Sequence, residues 1–109
     1  MKNFRTYELA CEFYQKTETL NLSGHLRDQL LRAASSIPLN LAEGNAKSSV
    51  KEKKRFYQIA YGSLKECQAI FQISRVRHKD ILDCANHLGA CLYKLQNSEI
   101  TVVSAGDIK

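Results

Sequence analysis

Apolar residues in this chain recur at three- and four-residue intervals in four separate blocks, and nowhere alternate strictly with polar ones. That period belongs to amphipathic helices rather than strands. The first block predicts a helix over about Phe4–Leu20, with Asn3 as N-cap, Phe4, Tyr7, Cys11 and Tyr14 on one stripe and Ala10, Phe13 and Leu20 beside it. The second, after Ser23, places Leu26, Leu30, Ala33, Ala34, Ile37 and Leu41 on one face, with Gly44 at the position of a C-terminal stop. The third opens on Ser49 and Glu52, the spacing of a capping box, and carries Phe56, Ile59, Ala60, Ser63, Cys67, Ile70 and Ser74 toward a core as far as about His78. The fourth starts at Asp80 and repeats Ile81, Ala85, Leu88, Leu92 and Leu95. Four helices with short links favour an all-α antiparallel four-helix bundle over residues 1–98. Residues 99–109 read as a frayed tail, with a short extended piece at Ile100–Val103.

Pro38, the only proline, falls inside the second block. Mid-helix it removes one hydrogen bond and crowds the carbonyl of Ala34. Either the helix ends near Ile37 or it continues with a kink. Ile37, Leu41 and Gly44 stay in phase across the proline, which favours the kinked continuous helix. Gly62 and Gly89 each cost a helix about 1 kcal/mol relative to alanine, and close backbone approach would explain them.

With 109 residues, 44% hydrophobic and 25% charged, the chain is one small globular domain. No apolar run approaches the roughly 20 residues of a membrane span. Arg5, Glu8 and Glu12 interrupt any leader-like stretch, so a cytoplasmic location is the default expectation. Cys11, Cys67, Cys84 and Cys91 lack metal or paired-cysteine spacing and are expected as reduced thiols buried in the bundle or its subunit interfaces.

Charge changes the picture. Residues 45–79 hold Lys47, Lys51, Lys53, Lys54, Arg55, Lys65, Arg75, Arg77 and Lys79 against Glu52 and Glu66, a net of +7 in a chain whose whole charge is +5. Lys51, Lys53 and Lys54 occupy a helix N-terminus, where the helix dipole disfavours cations, and Glu52 cannot neutralise them alone. Phosphate is the natural partner of such a surface. The candidate nucleic-acid-binding residues are therefore Lys47, Lys51, Lys53, Lys54, Arg55 and Lys65. Tyr57 and Tyr61 stand on an apolar shoulder beside them, where they either stack on bases or pack against another helix or subunit. Arg75, Arg77 and Lys79 sit at a helix C-terminus, where cations are favourable without any ligand.

His25, His78 and His87 stand alone, without spacing for a metal site or a base–nucleophile pair, and there is no phosphate-binding glycine loop. The expectation is a non-catalytic protein without a cofactor. Glu43 is read as structural, bonding backbone amides freed at the Pro38 kink. Cys84, Leu88, Cys91 and Leu95 broaden the apolar face of the fourth helix beyond one core, as self-association requires.

Ser36-Ile37-Pro38 with Asn40 and Ala42-Glu43-Gly44, a basic stretch, then Gly62-Ser63-Leu64 and Glu66, resembles the four-helix-bundle family of 23S-rRNA intervening-sequence proteins. That family is similar in turn to the accessory variability proteins of diversity-generating retroelements. The resemblance covers about residues 4–75 well and the fourth helix by pattern. It implies a small non-enzymatic bundle assembling as a homopentamer. Intervening-sequence members are encoded within rRNA insertions and have no well-defined activity; retroelement members bind nucleic acid and assist a reverse transcriptase. The motif residues it marks are Pro38, Asn40, Glu43, Gly44 and Gly62. Two functions from different classes follow: a multimeric nucleic-acid-binding accessory protein, with RNA or DNA as ligand, and an adaptor whose basic face binds an acidic protein. The first accounts best for the charge, and a small enzyme least.

Overall fold

Ile81, Ala85, Leu88, Leu92 and Leu95, the stripe read from the fourth block, are all buried. They belong to a bundle of four helices, with no strand, among the residues that the computed structural model describes (3–108, with side chains as far as residue 97). The helices are α1 (Phe4–Glu18), α2 (Gly24–Ala46), α3 (Val50–Ile73) and α4 (Lys79–Ile108). Each packs on two neighbours, α1 closing the ring against α4. Cross-helix pairs run in opposite chain directions: Ser36 meets Ser63 and Asn45 meets Tyr57 across α2 and α3. Tyr61 meets Tyr93 and Gln68 meets Asn86 across α3 and α4.

The core joins Ala10 and Phe13 of α1, Leu30, Ile37 and Leu41 of α2, Tyr57, Leu64 and Phe71 of α3, and the α4 stripe. Phe13 meets Phe71 edge-on, with ring centroids 6.1 Å apart, the arrangement aromatic quadrupoles favour. Each fully buried Leu or Ile contributes roughly 1.5–3 kcal/mol. The α1 face is centred on Ala10, Phe13 and Thr17, with Tyr7 and Tyr14 only partly buried. Buried Thr17 donates its hydroxyl to the Tyr14 carbonyl at 2.6 Å. Lys16 donates to Asp80 at 2.7 Å, tying the end of α1 to the start of α4. That hydrogen bond, with the ammonium charge, holds the Asp80 carboxyl below its usual range.

α2 runs unbroken through Pro38. Several finer expectations are corrected. Gly44 is not the stop: α2 continues to Ala46, with Lys47 as C-cap. A Cβ on Gly44 would lie 2.9 Å from Tyr57 Cε1 and 3.1 Å from Phe56 Cβ, so the glycine lets α3 approach α2. Gly62 is exposed and a Cβ there would meet nothing within 4 Å, which removes close approach within the chain as its reason; at Gly89 a Cβ would come 3.0 Å from Leu64 Cδ2, the end of a flexible side chain and not a backbone. Glu43 is exposed and only reaches Lys47 at 3.9 Å, far from any amide-bonding role. Asn3 occupies the N-cap of α1 but its side chain makes no cap bond. α4 begins at Lys79, one residue before Asp80.

The core face of α3 is turned by roughly 45°, about half the 100° step between residues, from the expected one, with Ala60, Cys67 and Ile70 common to both. Tyr57, Ala60, Leu64, Cys67, Ile70 and Phe71 face inward, while Ile59 is exposed and Phe56, Ser63 and Ser74 are only partly buried. The capping serine holds, Ser49 Oγ accepting from the Glu52 amide at 3.1 Å. α3 stops at Ile73, short of His78. Arg75 takes the left-handed conformation (φ 58°); the Val76 amide returns to the Phe71 carbonyl at 2.9 Å and that of Arg75 to Gln72 at 3.2 Å. This paired bonding is a Schellman stop, usually built on glycine. α4 continues to Ile108, so the backbone over Ile100–Val103 is helical rather than extended. The side chains of the tail assigned to residues 99–109 lie outside the described residues.

All four cysteines are unpaired, but only Cys67 is buried in the bundle; Cys11, Cys84 and Cys91 are half-buried. Burial, followed by the Glu66 charge, pushes the Cys67 thiol up to about 12. Because the thiolate is the reactive species, Cys67 is expected to resist a colorimetric thiol reagent until the protein is denatured, after the other three have reacted. Four fast thiols in the native protein would contradict this packing.

Candidate nucleic-acid interface on α3 and α4

The α2–α3 hairpin brings the C-terminus of α2 beside the N-terminus of α3, which alters how the lysines there read. Lys53 Nζ lies 3.5 Å from the Gly44 carbonyl and 3.3 Å from that of Asn45. A cation at the start of its own helix is thus placed at the carbonyl end of another, where it is stabilising. Lys53 thus has partners within the bundle, which Lys51, Lys54 and Arg55 lack among the described hydrogen bonds and ion pairs. Lys47 is shared between Glu43 and the Phe56 ring, its Nζ 5.3 Å from the ring centroid. Arg55 approaches the same ring at 5.0 Å.

Lys51, Lys54, Arg55 and Lys65 remain. None forms an ion pair among the described residues, and all lie on α3 away from the core side, Lys54 half-buried and the others exposed. Lys65 Nζ stands 5.3 Å from the Tyr61 ring. Tyr61 is half-buried and pairs with Tyr93 at 5.9 Å and 53° between planes. Tyr93 is 57% exposed. Tyr57 is corrected outright: it is fully buried, and its hydroxyl donates to Asn45 Oδ1 at 2.6 Å. It cannot stack on a base without leaving the core. Tyr61 keeps the expected place beside a lysine, and Tyr93 joins it. The signal for Tyr93 was its position between Leu92 and Lys94, out of phase with the buried stripe of α4.

The motif residues also acquire physical reasons. Asn40 Nδ2 donates to the Ser36 carbonyl at 2.8 Å and to Ser36 Oγ at 2.9 Å. Ser63 Oγ donates to Ser36 Oγ at 2.9 Å. A polar clamp that spans Pro38, from Ser36 to Asn40, therefore ties α2 to α3 through Ser63. It explains why Ser36, Asn40 and Ser63 occur together.

Among the described residues no three His, Cys, Asp or Glu side chains gather as metal ligands, and no helix is long and apolar enough to cross a membrane. The arrangement that the molecule does offer is a row of uncompensated cations leading to a lysine-flanked tyrosine pair, on a small four-helix bundle with a Ser–Asn–Ser clamp. The model of the 23S rRNA-intervening sequence protein family matches residues 4–91, and the chain belongs to that family. A search of curated proteins found no match.

Proposed function

We propose that the protein is a non-catalytic RNA-binding bundle whose α3 flank lies along the phosphate backbone. The observation that carries the reading is that Lys51, Lys54, Arg55 and Lys65 share one side of α3 without an acidic partner among the described residues. An ordinary solvated face interleaves both signs; here Glu52 and Glu66 are exposed on the same helix but pair with none of these cations, and Glu43 reaches Lys47. The family's description gives RNA priority over DNA. Backbone contacts position a ligand and carry little sequence information, so tolerance of many sequences is expected. Tyr61 and Tyr93 add a surface on which an unpaired base stacks, an interaction worth about 1–3 kcal/mol per base. Fluorescence anisotropy with labelled RNA at stepped salt tests the reading. Binding should weaken with a log–log slope of about −0.7 to −0.9 per phosphate neutralised. Absence of binding at low salt, or binding indifferent to salt, moves the acidic-partner adaptor ahead.

The same proposal includes self-association into a homopentamer, supported by apolar surface that the monomer leaves open. Leu39 and Ile73 are 65% and 67% exposed. Along α3, Ile59, Gly62, Ala69 and Ile73 recur at heptad-like spacing on the exposed side, interrupted by Glu66. Gly62 there admits a second backbone, the use that its own chain does not make of it. Native mass spectrometry at micromolar concentration should find multiples of 12.4 kDa. A persistent monomer overturns this part and leaves RNA binding to stand alone.

A further inference from the structure

We propose that the hollow where α3 turns into α4 holds one unpaired nucleotide of an RNA strand. The inference rests on the RNA-binding reading above but uses residues that the reading does not. Two contiguous hollows, of about 570 and 680 Å³, share Phe71, Gln72, Val76, Leu82 and Asn86. Both are open to solvent rather than enclosed, as a site that a strand enters sideways must be. Val76 and Leu82 are half-buried and join Phe71 in the lining. Three amides, Gln68, Gln72 and Asn86, share the lining; only Gln68 and Asn86 meet, at 3.3 Å. A lining of apolar side chains and amide donors and acceptors suits the face and the edge of a base.

The rim supplies the charge. Lys65 stands at one end and Arg75, Arg77 and Lys79 at the other. The one carboxylate in the lining, Asp83, is taken by Lys79 at 2.7 Å. Arg75 and Arg77 make no ion pair among the described residues. An anionic occupant is therefore favoured, and the guanidinium fork matches a phosphate. Arg75 has a further mark. It holds a left-handed conformation, φ 58°, which glycine adopts at less cost than arginine. The chain places its arginine at the lip of the hollow at that cost. The hollow also continues the tract already described. Tyr61 with Tyr93, Lys65 opposite Gly89, and Gln68 with Asn86 follow one antiparallel register, so a strand lying along α3 reaches the turn.

The test compares a blunt RNA duplex with the same duplex bearing a 3′ overhang of a few nucleotides, by anisotropy at low salt. The overhang should bind about tenfold tighter, as one added base and phosphate contact implies. The double variant Arg75→Gly/Arg77→Gln should erase that advantage and leave the blunt duplex unaffected. Arg75→Gly removes the unfavourable conformation, so the variant should melt no lower than the parent. An overhang that binds no better than the blunt duplex, or an advantage that survives in the variant, overturns the nucleotide site while the RNA-binding reading stands. If neither RNA binds the parent protein, that reading fails first and the site with it.

Discussion

Replacing Lys51, Lys54 and Arg55 together by glutamine should weaken RNA binding by about 100-fold at low salt and flatten the log–log salt slope by roughly 2–3. Three phosphate contacts disappear, and each carries about 0.7–0.9 of slope through the counterions it releases. The fold should survive, because none of the three makes an ion pair or a cross-helix hydrogen bond among the described residues. Arg55 gives up its place 5.0 Å from the Phe56 ring, a surface contact worth about 0.5–1 kcal/mol. Lys53→Gln is the internal comparison. It lies between two of the replaced residues, yet its ammonium serves the carbonyl end of α2. It should cost about 0.3–1 kcal/mol of stability and leave affinity nearly unchanged. Salt titrations of the parent, the triple variant and Lys53→Gln separate the two roles. Unchanged affinity and slope in the triple variant would make these cations an ordinary solvated surface.

What the sequence showed depended on how many faces of each helix are apolar. In α4 the stripe of Ile81, Ala85, Leu88, Leu92 and Leu95 keeps an unbroken four-and-three spacing, and all five are buried. α2 was equally legible across Pro38, since Leu30, Ala33, Ala34, Ile37 and Leu41 continue one stripe through it, and all five are buried. α3 is apolar nearly all round: Phe56, Ile59 and Ile73 compete with Tyr57, Leu64 and Phe71, and periodicity cannot choose between them. The choice is made from outside the helix, by the space above Gly44 and by the Asn45 side chain. Gly44 itself offered a signal, lying seven residues after Ile37 and three after Leu41, in phase with the buried stripe. A helix stop lies outside that phase; a close contact lies inside it. The basic flank was legible as charge but not as partnership, because the hairpin that brings Lys53 to the end of α2 is a tertiary fact. The Ser36, Asn40 and Ser63 clamp was visible only as a family likeness, since no packing rule asks for three polar groups there.

Tyr57→Ala should destabilise the bundle by about 3–5 kcal/mol, a large share of the roughly 5–15 kcal/mol that holds a small domain together. The ring is fully buried between α2 and α3 and its hydroxyl donates to Asn45 Oδ1 at 2.6 Å. Truncation leaves both a cavity and an acceptor without its donor. Tyr57→Phe separates these losses: the ring stays, and only the hydrogen bond goes, at about 0.5–1.5 kcal/mol. Gly44 gives a second handle on the same contact. In a helix interior Gly→Ala ordinarily gains about 1 kcal/mol, but here the added Cβ would stand 2.9 Å from Tyr57 Cε1. Overpacking of a buried ring costs about 1–3 kcal/mol, so Gly44→Ala should be destabilising alone. With Tyr57→Leu, which withdraws the ring atoms and leaves only the Phe56 Cβ contact at 3.1 Å, the same alanine should cost less. The two positions should therefore couple by about 1 kcal/mol or more in a double-mutant cycle, read by urea denaturation at one protein concentration. RNA binding supplies the contrary outcome. If Tyr57→Ala folds as stably as the parent and binds RNA more weakly, the ring belongs on the surface with Tyr61 and Tyr93, and the packing of α3 on α2 described here is wrong.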